Sequence, residues 1–565
     1  MKKQMTILLS ALALTYPALW WGGRMPGEWT LFSECAWCLA CMLFLAMVPE
    51  RLRRFADMAQ ENVRQVFYCM IPAGIVLLLH YYYSRGNTDL LCRGLFWFVL
   101  PIFGAVYARE LRKPLLWAVV LLGGADLFAL FWQLCKGMPP YGITGNWNWS
   151  ATLLLASVLA GAGLCGEKKK WIPFLTGGVL GVFFCCLPDW RAYFPRGTVA
   201  ASGMALVLFC GFALTGKRCR VFRIGVLLWL VVCAVFGLLQ VEKDVTRSAL
   251  AEGAVSLIKS HPLGGVGPGR FESEIPQHLP IRYYDGAFPS ERHPHPHNQL
   301  LKFMAEFGVS GAVLFGMFCL ILYRSLRGQK KEPELWLIAA MLTVHGMVDV
   351  LLEEWPLNVV WLLALGILWG DSVTLKEQDV PEMEKSDVYW PLRVVQIILA
   401  VLLCVQVVRE GTAGFYARRA KLGGGAADWE RSLQWKVTPE NLYAGAMHAL
   451  FDRKDPKAAL QFLNRIEPET TFRNYLHNQG LTARALAAGG KIKESLPYFE
   501  AEQRNFPVSA VNLYFHAQVL QSLGERAAAA EKLASMHKLL AARGRTVADL
   551  PGLIRDSALE LRRKP

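Results

Sequence analysis

Three histidines alternate in the segment SERHPHPHNQLLKFMAEFGVSG: His293, His295 and His297. Asn298 follows the last of them, and a helical apolar pattern then begins. A neutral imidazole with an ordinary pKa near 6.5 can take a proton at physiological pH, so one of these rings can act as a general base. Alternate histidines on an extended segment can also hold a metal ion. Pro294 and Pro296 favour such an extended backbone. A solvated polar linker at a membrane surface is the third reading of the same residues.

Upstream, IKSHPLGGVGPGRFE places Gly264, Gly265, Gly267 and Gly269 before Arg270. Glycines let a backbone approach a ligand closely. The spacing is neither a P-loop nor a dinucleotide fingerprint, and a tight surface turn explains it equally well. Arg191 and Arg196 lie in PDWRAYFPRGTVAASG, and Arg247 lies in VTRSAL. A guanidinium fork matches phosphate oxygens in shape and charge. Anchoring by snorkelling is the alternative for each arginine.

The elements that must position these residues are membrane helices. Of 565 residues, 54% are hydrophobic and 19% charged, where a soluble domain carries about 25% charged residues. This excludes a single soluble enzyme, a disordered chain and a small disulfide scaffold. The 14 cysteines end at Cys404 and lie in or beside apolar runs, as buried thiols do. Thirteen candidate spans lie near 5–22, 30–48, 66–84, 92–108, 114–133, 149–165, 171–188, 198–215, 222–241, 306–323, 335–352, 357–371 and 391–409. Lys and Arg concentrate in alternate loops, such as ERLRRFADMAQENVRQ and GEKKK. The positive-inside rule therefore predicts a cytoplasmic N-terminus. The net charge of +15 is then a matter of loop composition and not of nucleic-acid binding. The loop at about 242–305 and the tail from 411 fall on the outer side. The spans hold few ionisable groups, mainly Asp126, His345 and Asp349, with Glu306 near a span start. A transporter would be expected to show more.

The tail predicts a helical repeat. Asp455, Gly490 and Gly524 separate apolar helical patterns at steps of 35 and 34 residues. That period resembles tetratricopeptide repeats, whose stacked helix pairs bind partners on a concave face.

Together these segments resemble the O-antigen ligase and polymerase superfamily. The resemblance rests on GITGNWNWS, PRGTVAASG, VTRSALAEGAVSLIKSHPLGGVGPGRF, HPHNQLLKFMAEFGVSG and HGMVDVLLE, and covers about 140–370. Its most telling pattern is a His, then Asn, with Gly eleven positions on; here these are His297, Asn298 and Gly308, with Glu306 between. The Asp of the family's later span matches Asp349. The arginine patterns depart from the family, with Pro195 before Arg196, Ala200 four positions after it, and no Trp after Arg247.

The resemblance implies an all-α, polytopic, GT-C-like membrane glycosyltransferase of about 12–13 transmembrane helices. The expected division is a membrane domain over 1–410 and a periplasmic tetratricopeptide-like solenoid over 411–565. In the inner membrane it would move a glycan from an undecaprenyl-diphosphate carrier to a lipid or protein acceptor hydroxyl on the periplasmic side. His297 would be the catalytic base, and Arg196 and Arg247 would bind the lipid diphosphate. Asn298, Glu306, Arg270 and Arg191 would support them. No metal and no cofactor are expected. The tail offers a site for a protein partner. Ligase, polymerase and protein glycosylation are not separated by these motifs. A transporter or a repeat-displaying scaffold is the non-enzymatic alternative.

Overall fold

Runs such as NVVWLLALGILWG carry no polar face, so a helix built from them must be covered all round or lie in lipid. In a computed structural model of the chain, the first of these outcomes holds for this run. Apart from shorter pieces, the structure describes residues 88–138, 140–165, 245–280, 295–325, 333–347, 357–374, 390–420, 426–470, 477–507, 509–542 and 546–549. All regular secondary structure among the described residues is helical.

Helix α1 spans Thr88–Val106, α2 Ala108–Cys135 and α3 Trp147–Leu164. Helix α4 spans Val245–Ser260, and a short α5, Phe271–Glu274, runs into a 3-10 turn at Ile275–His278. Then come α6 (Gln299–Phe307), α7 (Val309–Ser325), α8 (Glu334–Gly346), α9 (Leu357–Thr374) and α10 (Trp390–Arg419). Helix α9 is the centre of the bundle and packs on α1, α2, α7 and α8. Its crossing with α1 is close because Gly366 and Gly370 lie one turn apart on one face. A Cβ at Gly366 would sit 2.3 Å from Pro101 O, and one at Gly370 2.3 Å from Ala105 O. Small residues at such spacing let helix backbones approach.

Helices α2 and α3 are long and apolar enough to cross a membrane, and shorter apolar helices surround them. On α2, Trp117, Leu121, Phe128 and Trp132 are exposed at helical spacing, as lipid-facing residues would be. The expected spans near 92–108, 114–133, 149–165, 357–371 and 391–409 each coincide with a helix. Two others are cut differently. The span expected at 306–323 is divided at Gly308 into α6 and α7, and that expected at 335–352 ends at Gly346. Both breaks shape the site described below. The spans near 5–22, 198–215 and 222–241 lie outside the described residues, and those near 30–48, 66–84 and 171–188 do so in large part.

The tail is a series of helical hairpins. Helix α10 pairs with α11 (Ala426–Trp435), and α12 (Pro439–Met447) with α13 (Pro456–Thr470). Helix α14 (Asn478–Ala488) pairs with α15 (Ile492–Asn505), and α16 (Ala510–Ser522) with α17 (Arg526–Ala542). The turns are made at Lys454, Gly490 and Gly524, with φ of 54°, 82° and 81°. The first turn is thus offset by one residue from the repeat expected at Asp455. A π turn over His448–Asp452 leads into it. Asp455 N reaches back six positions to Ala449 O, where Lys491 N and Glu525 N reach back five to Leu486 O and Leu520 O.

Candidate active site

The site begins at a helix start. Asn298 caps α6, its Oδ1 accepting from Leu301 N at 3.0 Å. Its Nδ2 donates to Met347 O at 2.9 Å, in the turn that ends α8. One side chain therefore ties the start of α6 to the end of α8. Just before the cap, His297 takes a left-handed backbone with φ of 53°. Such a conformation is uncommon for a non-glycine residue and concentrates at functional sites.

That turn brings His297 to Asp349. Nδ1 of His297 lies 3.0 Å from Asp349 Oδ1. The other carboxylate oxygen, Oδ2, accepts from the Trp149 indole N–H at 3.1 Å. Asp349 is held in turn by its own backbone, whose N–H donates to His345 O at 2.8 Å. This bond continues the i→i−4 pattern of α8 just past its end at Gly346. Next to it, Thr152 Oγ1 meets His345 Nδ1 at 2.7 Å, so a second polar pair joins α3 to α8. Arg247, at the start of α4, lies near His345.

A carboxylate only accepts hydrogen bonds, so His297 Nδ1 must carry the proton toward Asp349. The Nε2 lone pair is then available to a substrate proton. Aspartate orients a catalytic histidine in this way in unrelated enzymes.

The glycine-rich loop is fastened to α6 from outside. Val266 N donates to Ala305 O at 2.9 Å, Gly267 N to Glu306 O at 3.0 Å, and Val309 N to Pro262 O at 2.8 Å. Gly308 has φ of 63°, and a Cβ there would lie 2.3 Å from Leu263 O. Gly265 faces the same seam, 2.3 Å from the Glu306 carbonyl carbon by the same measure. This accounts for the glycine eleven residues after His297: it lets α6 turn into α7 while the loop presses against the turn. Glu306 serves the seam through its carbonyl, and its side chain lies 3.8 Å from Lys302. Arg270 is half-buried at the loop's end. Burial pushes its guanidinium below the usual arginine value, with Glu274 opposing. His80 meets the same loop, Nε2 to Gly264 O at 2.7 Å.

The GITGNWN segment has a positioning task. Asp126 Oδ1 accepts from Ile143 N at 2.7 Å and from Ser150 Oγ at 3.0 Å. Gln133 and Gly142 exchange two hydrogen bonds, at 2.8 and 3.1 Å. Asn146 caps α3 through Asn148 N. Asp126 thus fixes the entry to α3, and α3 delivers Trp149 to Asp349.

Residues 177–316 match the O-antigen ligase family. No curated protein matches the chain. A match to the O-antigen ligase family implies a glycosyltransferase that acts in surface-polysaccharide assembly on a lipid-linked glycan, and with the apolar helices it suggests a membrane protein. The matched segment holds His297, Asn298, Glu306, Arg270 and Arg247 together with Arg191 and Arg196. Arg191, Arg196 and His293 lie outside the described residues. Asp349 and Trp149, the groups aligned with His297, fall outside the matched segment. Trp149 escaped the reading of the sequence as a site residue. It is an apolar residue in an apolar run, and its only sequence signal is its place in GNWNW.

His295 also reaches this place. Its ring meets that of His297 edge-on with centroids 4.5 Å apart. Possible ligand atoms of His295, His297 and Asp349 lie within 4.8 Å of one another. The three could hold a metal ion, though the bond from His297 Nδ1 to Asp349 would have to open.

Proposed function

We propose that the chain transfers a glycan from an undecaprenyl-diphosphate carrier to an acceptor hydroxyl at the periplasmic face of the inner membrane, as an O-antigen ligase does. The observation that carries this reading is the bond from His297 Nδ1 to Asp349, within reach of the family-matched segment. In the reaction, the acceptor oxygen attacks the anomeric carbon and gives its proton to His297 Nε2. The bond from that carbon to the phosphate oxygen breaks, and the lipid diphosphate leaves. Asp349 faces the positive charge that develops on the imidazole. Arg247 and Arg196 are assigned to the growing charge on the diphosphate, where preorganised donors are worth most. A diphosphate leaving group needs no protonation, so one base suffices. Arg270, Asn298 and Glu306 support the loop and helix that carry these groups, and Arg191 is assigned a supporting role. The N-terminus is assigned to the cytoplasm, with residues 1–410 as the membrane domain. Residues 411–565 form a tetratricopeptide-like domain outside it that recruits an acceptor or an assembly protein.

The decisive experiment compares single histidine variants in transfer from purified lipid-linked donor. His297→Ala should lower the rate by roughly 10²–10⁴-fold, the usual worth of one general base. His295→Ala should stay near wild type, and chelator should have no effect. The proximity of His295, His297 and Asp349 favours a second reading, a metal-assisted transfer. Equal damage from both substitutions, with activity lost to chelator and restored by metal, would establish that reading and overturn the first.

A further inference from the structure

The tail contains a cavity of about 360 Å³ that opens across three successive hairpins. Its walls include Phe451, Ile492, Phe499, Phe515 and Val519, and Arg484 lines it among them. The Arg484 guanidinium lies 5.9 Å from the Phe451 ring centroid and 5.6 Å from that of Phe515. Its Nε donates to Gly480 O, one turn back on α14. Among the described residues no carboxylate pairs with it. A guanidinium supplies five N–H donors in a planar fork. Here one of them is used, and the rings hold the plane in place by cation–π contact.

We propose that this groove binds a carboxylate-bearing segment of a partner polypeptide. The carboxylate would form a bidentate pair with Arg484, and an adjacent aliphatic or aromatic side chain would enter the cavity. The volume lies at the small end of ligand pockets and suits one or two side chains. The walls argue for a peptide over an acidic sugar. Apart from Arg484, only Gln518 and Ser522 bring polar side chains, too few for a hydroxyl-covered ligand. The groove is also connected to the membrane-side loop. Helix α15, which supplies Ile492 and Phe499, touches the 3-10 turn at Ile275–His278, and that turn packs on α4, the helix carrying Arg247. A polypeptide held here would be held beside the transfer machinery.

The inference rests on reading the tail as a recruitment module, and the test separates the two. Immobilised full-length protein in detergent is offered a degenerate hexapeptide library, and the same library with its carboxylates amidated. Retained peptides should be enriched in a carboxylate next to an apolar residue. The amidated library should be retained at least tenfold less, given the strength of charge-assisted pairs. Arg484→Ala should lose at least tenfold in retention, and Arg484→Lys less. Ser522→Glu sits at an exposed position, so it should fold normally and still repel the ligand. Absence of retention, equal retention by Arg484→Ala, or retention of oligogalacturonate in place of peptides would overturn the proposal. Removing residues 438–565 in cells reads recruitment separately. Loss of glycan product on deletion, with unchanged peptide binding by Arg484→Ala, would leave recruitment standing and eliminate this groove.

Discussion

Asp349→Asn probes the site through a mismatch of donors. The carboxylate serves two N–H groups, one on each oxygen: His297 Nδ1 at 3.0 Å and Trp149 Nε1 at 3.1 Å. An asparagine amide has the same shape but offers one oxygen and one NH2. The indole can only donate, so it claims the oxygen. The NH2 then points at His297 Nδ1, which must accept, and the ring proton moves to Nε2. The lone pair assigned to the acceptor hydroxyl is lost. The reverse orientation keeps the base but sets the amide NH2 against the indole N–H, with Trp149 1% and Asp349 4% exposed. A buried donor without a partner costs about 1–3 kcal/mol. At tenfold per ~1.4 kcal/mol, the productive orientation falls to between about one part in six and one part in 160. The rate should therefore drop roughly 6- to 160-fold from orientation alone, and further because the negative charge is gone. Removing the competing donor should reverse part of this. Trp149→Phe combined with Asp349→Asn should be several-fold faster than Asp349→Asn alone, although Trp149→Phe by itself slows the enzyme. The assay is transfer from purified lipid-linked donor, followed by the mobility of the glycosylated acceptor. An Asp349→Asn rate within twofold of wild type, or a double variant slower than Asp349→Asn, would refute the assigned hydrogen-bond pattern.

Other consequences are open to measurement. Arg247→Ala should raise the KM for the lipid-diphosphate donor and lower kcat, and Arg247→Lys should restore only part of each, because it lacks the fork. Gly308→Ala forces a Cβ to 2.3 Å from Leu263 O at φ of 63°. It should cost about 2–4 kcal/mol of stability, seen as a lower melting temperature and reduced yield. In the tail, burial pushes the His516 ring below the ordinary histidine value, with Lys532 adding to the effect and Glu500 opposing it. The folded tail takes that proton less readily than the unfolded chain, so acid should destabilise it as the pH falls through about 6.5. Hydrogen-exchange protection factors over residues 510–522, referred to the intrinsic exchange rate at each pH, should fall on acidification in wild type, and less so in His516→Gln.

Local features of the site were legible in the sequence, and long-range ones were not. His297, Asn298 and Gly308 lie within one short segment, and the structure gives each a task there: ring, cap and turn. Asp349 was visible as an ionisable residue in an apolar run, but its pairing crosses 52 residues to His297 and 200 to Trp149. No periodicity encodes such a pairing. The contact of His80 with Gly264 spans 184 residues and was equally hidden. Hydropathy located most of the described apolar helices but ran through the breaks at Gly308 and Gly346, because both lie among apolar residues. In the tail, the turns at Gly490 and Gly524 were readable from the sequence, whereas the first falls at Lys454, one residue before Asp455. The run from Leu357 to Gly370 reads as a span, yet packing covers it on every side in the bundle.

Helix α10 runs unbroken from Trp390 to Arg419, past the point where its apolar run ends. Glu410, Ala413 and Arg419 on its far end hold Lys436, Ser432 and Asp428 of the following hairpin. The tail therefore has no hinge at this junction, and the helix acts as both ruler and protractor. Ten residues beyond Arg409 carry the hairpins about 15 Å outward at 1.5 Å per residue. A single residue inserted between Arg409 and Glu410 would turn everything beyond it by about 100° and swing α15 away from the turn at Ile275–His278. Seven inserted residues would nearly restore the angle and add about 10 Å of height. The tolerance of this junction to insertion should thus follow the phase of the helix, and relatives of different length here should differ by whole turns.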